Sequence, residues 1–147
     1  MRATTIVFPT DFSEHSHAAL GHATALVRDT GAMLLIVHVH QPAERFADTG
    51  FVGYPVNDDE QDLNRMLSDV KPTESGVGFT HTLLTGNPAE EILRFAEERD
   101  ADMIVLGTHG RTGLSRLLMG SVAEAVVRGA KCPVLTIKQP AGAEVGV

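Results

Sequence analysis

Cys132 is the one cysteine among 147 residues, so no intrachain disulfide can form and a reducing compartment is the easier assumption. Basic runs longer than a pair are also missing, and the net charge is −7. That balance argues against nucleic-acid binding, because phosphate backbones are held by clustered Lys and Arg. A ligand with several phosphates is repelled overall, so it needs local amides, an arginine or a divalent metal. The longest strongly apolar run, Ala32 to Val37, is far short of a membrane span. Strand-like sequence begins at Thr4, leaving no room for a signal peptide. The expected location is the cytoplasm, without membrane attachment. Enzyme motifs are scarce. No Gly-Lys pair exists for a P-loop, and no Gly-x-Gly-x-x-Gly for a dinucleotide. Gly113-Leu114-Ser115-Arg116-Leu117 begins like a nucleophile elbow but lacks the second glycine.

What remains is the composition of an ordinary globular chain, 43% hydrophobic and 21% charged. At this length one domain is expected, burying about 68–70% of its unfolded surface. Thr4 to Phe8 reads as a short buried strand stopped by Pro9. Ser13 then suits the N-cap of a helix that ends near Gly31, with Ala19, Ala23 and Leu26 on one row and Leu20 and Val27 beside it. Ala32 to Val39 is almost continuously apolar, as in a strand covered on both faces. His40 to Asn57 has no steady period and is read as a long loop. Leu63, Met66, Leu67 and Val70 form one helical stripe. Phe79, His81 and Leu83 alternate with Thr80, Thr82 and Leu84, which suits an edge strand.

Asn87-Pro88-Ala89-Glu90 combines an Asn cap, Pro at the first helical position and an acid at the third. The helix it opens carries Ala89, Ile92, Leu93 and Ala96 on its buried stripe. Met103 to Leu106 is a further strand, and a last helix runs to about Arg128 with Gly129 as its stop. Pro133 to Ile137 is the fifth strand. Residues 139–147, rich in Gly and Ala, read as a flexible tail after a single domain of residues 1–138. Strands alternating with helices imply an α/β fold, a doubly wound parallel sheet with helices on both faces.

The stretch from Gly107 to Val122 carries the chemistry. It leaves the Met103–Leu106 strand, passes glycines at 107, 110, 113 and 120, and reaches a helix start where Ser121 and Glu124 have the form of a capping box. A strand, a glycine-bearing turn and a helix N-terminus together make an anion site, because free N–H groups and the helix dipole favour negative charge. In open α/β sheets ligands bind beyond the carboxyl ends of the strands, where the winding reverses. With the first and fourth strands side by side there, Pro9-Thr10-Asp11 would face Gly107-Thr108-His109-Gly110. The expectation is a phosphate cradle.

These residues resemble the universal stress proteins. Gly107, two residues, Gly110, nine residues and Gly120-Ser121 look like that family's ATP-binding signature. The resemblance extends to Pro9-Thr10-Asp11-Phe12-Ser13, to His38-Val39 and to Cys132-Pro133-Val134-Leu135, across roughly residues 1–138. It implies a five-stranded sheet in the order 3-2-1-4-5, a homodimer paired through the fifth strands and a role in stress survival. It further implies that Asp11 hydrogen-bonds the adenine or ribose side and that Val39 lines the adenine slot. Gly107 and Gly110 would pass close to ribose and phosphate. Gly120, Ser121 and Val122 would offer amides to the phosphates.

Plainer readings stand beside these. The glycines could simply shape a tight connection. Asp11 could be a helix-start acid, and Ser121 could spend its hydroxyl on capping. Arg111 and Arg116 are solvated arginines by default. The seven histidines show no metal-ligand spacing, and Cys132 reads as packed rather than reactive. Three functions follow. The first is an ATP-binding (or ADP- or AMP-binding) regulatory module, with magnesium or manganese offsetting the phosphate charge. The second is a slow ATPase or phosphotransferase using His109 or Ser121. The third is a structural dimer with an empty site.

Overall fold

Three strands of near-continuous apolar sequence form the middle of the sheet: β1 (Thr5–Pro9), β2 (Met33–His40) and β4 (Met103–Gly107). A computed structural model describes residues 4–42, 60–108 and 119–138. β3 (Phe79–Thr85) lies on one edge and β5 (Val134–Ile137) on the other, giving the order β3-β2-β1-β4-β5 with every pairing parallel. This is the expected 3-2-1-4-5 sheet. Val7 sits opposite both Leu35 and Ile104, so β1 and β4 are neighbours where the winding direction changes.

Period-two alternation divides the core. Ile6, Phe8, Leu34, Ile36 and Val105 face one side, and Val7, Leu35, Val37, Ile104 and Leu106 the other. α1 (Glu14–Thr30) and α2 (Glu60–Ser68) cover the first face. α3 (Pro88–Glu98) and α4 (Ser121–Gly129) cover the second. α1 packs closely because its inner row is small: Ser16, Ala19 and Ala23 are all buried. Its N-cap is Ser13, whose Oγ accepts from the Ser16 N–H at 3.2 Å, and Gly31 closes it in the left-handed conformation at φ 73°. α3 starts as its sequence implies, with Asn87 Oδ1 accepting from the Glu90 N–H at 3.1 Å and Pro88 following.

Four local expectations need correction. Gly120, not Ser121, is the N-cap of α4, and no side chain caps it. Gly129 is helical rather than a left-handed stop, and Ala130 ends α4 at φ −70°. Its small size has another cause: a Cβ there would lie 2.6 Å from Leu93 Cδ1 on α3. Met66 points outward at 42% exposure while Leu63 and Leu67 fill the α2 stripe. Phe95, outside the stripe read from sequence, is buried between α3 and the sheet. The 43–57 part of the long loop and the 139–147 tail lie outside the described residues.

Cys132 packs against the second half of the core, and burial pushes its thiol pKa up, in keeping with a packed thiol. Asp102 fastens the start of β1 to the start of β4. One carboxylate oxygen accepts from the Thr4 N–H at 2.7 Å, the Thr5 N–H at 2.9 Å and the Thr4 hydroxyl at 3.0 Å. These bonds, the Thr4 N–H foremost, hold its pKa below the usual carboxylate value. A depressed folded pKa contributes stability that is fully present above the unfolded value of about 3.9 and lost as pH falls through the folded one. The stability gap between wild type and Asp102→Asn is therefore expected to narrow below about pH 4. Urea unfolding across an acid series checks this, and a gap that stays constant would refute it.

Candidate functional site

At the carboxyl end of β1 the chain turns sharply, and each residue of the turn is tied down. Thr10 donates its N–H to the Val37 carbonyl at 2.8 Å. Its buried hydroxyl oxygen accepts from the Phe12 N–H at 3.0 Å and from the Ser16 hydroxyl at 2.8 Å. Asp11 Oδ1 accepts from the Ser13 N–H at 2.9 Å, an Asx turn that leads into α1. Phe12 has φ 67°, a left-handed conformation that a bulky residue rarely holds.

Opposite, β4 ends at Gly107, which abuts the first turn of α1. A Cβ on Gly107 would lie 3.0 Å from the His15 carbonyl oxygen, so strand and helix approach this closely only with glycine. Thr108 donates its N–H to the Ile137 carbonyl at 3.2 Å, and its own carbonyl accepts the Gly120 N–H. This last bond pins the start of α4 to the end of β4. It also spends the Gly120 amide, one of those expected to face a phosphate. The Ser121, Val122 and Ala123 N–H groups, the first turn of α4, have no acceptor within the helix. With Gly120 as the cap, the Ser121 hydroxyl is not used for capping.

Between these elements lies a cavity of about 360 Å³, a size typical of small-ligand sites. Pro9, Thr10, Asp11, Val39, Gly107, Gly120, Ser121 and Val122 all line it. Of the residues singled out in the sequence, His109 and Gly110 lie outside the described residues, as do Arg111, Gly113 and Arg116. One wall is apolar, formed by Val39, Pro88, Ile92 and Leu106. Asp11 carries the one carboxylate among the described lining residues, and no Lys or Arg is among them. The dipole of α4 supplies positive potential at its end.

Ser16, His38, Gln41, Pro88 and Ile92 line the cavity without having been singled out for it in the sequence. Ser16 and Pro88 had a legible signal, since every helix that follows a parallel strand starts at this edge of the sheet. His38 had none. Considered alone it is a histidine on a strand, yet its Nδ1 lies 2.8 Å from the Thr10 carbonyl oxygen and its ring 4.3 Å from that of Phe12. Among the described residues no group of three His, Cys, Asp or Glu could hold a metal ion, and no helix is long and apolar enough to cross a membrane.

A family model described as the universal stress protein family matches residues 3–138. Universal stress protein MJ0531 of Methanocaldococcus jannaschii is 39% identical over 145 residues, spanning 92% of this chain and 82% of that one. The solved structure of MJ0577, from the same organism, superposes with a TM-score of 0.74 at 27% identity, covering 96% and 99% of the two chains. A universal stress protein from Archaeoglobus fulgidus, solved in complex with dAMP, gives a TM-score of 0.65 at 28% identity over 94% and 100%.

Proposed function

The chain belongs to the universal stress protein family, and on that premise we propose that it binds ATP in the cavity between β1 and β4 and acts as a stress-response regulator. The observation that carries this reading is the convergence of an apolar slot, one carboxylate and a helix N-terminus on a single cavity. Each has a natural partner in an adenine nucleotide. The base fits against Val39, Ile92 and Leu106. Asp11 accepts from a ribose hydroxyl, and the Ser121, Val122 and Ala123 amides meet the phosphates with the α4 dipole behind them. The Archaeoglobus relative's dAMP supports the adenine and leaves the phosphate number open. In a chain of net charge −7, magnesium or manganese would accompany the phosphates.

Melting with ATP, ADP and AMP tests the proposal. A ligand at about 100 times its dissociation constant is expected to add about 2.7 kcal/mol of stability. No shift with any of the three would overturn nucleotide binding. Turnover well above background and abolished by His109→Ala would instead favour an enzyme.

β5 is an edge strand among the described residues, and with Leu135 37% exposed it supports a homodimer paired through that strand. Sedimentation as a monomer at micromolar concentration would count against it. The same reading places the protein in the cytoplasm, which cell fractionation checks.

A further inference from the structure

We propose that His38 is a positioning residue for the nucleotide: it clamps the Thr10–Phe12 turn and, through that turn, sets Asp11. This rests on the nucleotide reading above and adds a residue to it. A carbonyl oxygen only accepts, so the His38 nitrogen 2.8 Å from the Thr10 carbonyl is Nδ1–H, the donor. The same ring packs on Phe12 with centroids 4.3 Å apart and planes tilted by 35°. His38 thus grips the residues on both sides of Asp11. It comes from β2, immediately before Val39, and so ties the end of β2 to the turn that follows β1.

The grip has a physical purpose. Phe12 at φ 67° is held against its own backbone preference, and such a residue relaxes unless its surroundings over-determine it. The Phe12 N–H bond to Thr10 Oγ1, the packing of Phe12 against the core and the His38 bond to the Thr10 carbonyl together restrain it. Losing the Nδ1–H bond frees the Thr10 carbonyl, and the turn shifts as Phe12 relaxes from the left-handed region. Asp11, placed between Thr10 and Phe12 and with Oδ1 accepting from the Ser13 N–H, shifts with the turn.

Calorimetric titration of ATP into wild type, His38→Phe, His38→Asn, Asp11→Ala and the His38→Phe/Asp11→Ala double variant tests the assignment. Phenylalanine keeps an aromatic face for Phe12 but cannot donate to Thr10. Asparagine places an amide N–H where Nδ1–H stood. His38→Phe is expected to weaken binding about tenfold, the worth of one well-formed hydrogen bond, and His38→Asn to recover most of that loss. In the Asp11→Ala background His38→Phe is expected to add nothing, because it acts through Asp11. Wild-type affinity in His38→Phe, or losses that add in the double variant, would overturn the inference. Should His38→Phe fail to fold, His38→Leu takes its place, since it too has no N–H to donate to Thr10. It too must weaken binding, and not additively with Asp11→Ala; unchanged affinity would overturn the inference. If wild type itself binds no nucleotide, the functional reading fails; if wild type binds and these variants bind equally well, only the role of His38 fails.

Discussion

Gly120→Val is expected to fold and to lose nucleotide affinity by on the order of a hundredfold or more, about 2.7 kcal/mol. The backbone at Gly120 does not require glycine. Its φ −61° and ψ 154° are extended values open to any residue, and valine keeps the N–H that reaches Thr108. The poorer N-cap is expected to cost about 1 kcal/mol or less, a melting shift of about 2–4 °C. The functional cost is larger, because a branched side chain is added to a cavity-lining residue beside the amides proposed to hold phosphate. Parallel melting and titration curves separate the two effects. A folded variant with wild-type affinity would show that the phosphates sit elsewhere.

Phe8→Ala is expected to cost about 3–5 kcal/mol of folding stability, a large part of the 5–15 kcal/mol typical of a domain. Phe8 is fully buried on β1, packed within the half of the core that α1 and α2 cover. Truncation there leaves a void in the middle of the sheet, where strands on either side prevent collapse. Phe79→Ala on the β3 edge, where the ring is already 37% exposed, provides the contrast and should cost much less. A lower urea midpoint with an unchanged slope is the expected signature. A loss below about 1 kcal/mol would mean that the β1 environment repacks freely.

The fold was legible because its determinants are local. β1, β2 and β4 are apolar runs bounded by Pro9, Gly31 and Gly107, and covered parallel strands need little else. Ser13 and Asn87 cap helices with their own side chains, a bond made within three residues. Much of the site was legible for the same reason, since alternation alone puts the ends of β1, β2 and β4 on one edge. The misreadings involve partners distant in sequence. Gly120 and Ser121 are both residue types that serve as N-caps, and the Gly120 bond to the Thr108 carbonyl shows how that end is held. Gly129 looks like a helix stop until Leu93 is brought against it from α3. His38 stands beside Val39 in the resemblance, but the carbonyl it bonds lies 28 residues earlier, out of reach of any local pattern.

The bond between Thr108 and Gly120 has a consequence for how the family's members can diverge. It ties a knot at the neck of the intervening stretch, so α4 begins at the same point whatever lies between. Lengthening a closed excursion is cheap, about 0.6 kcal/mol for each doubling. Insertions or exchanged sequence there would leave the start of α4, and with it the cavity residues Ser121, Val122 and Ala123, where they are.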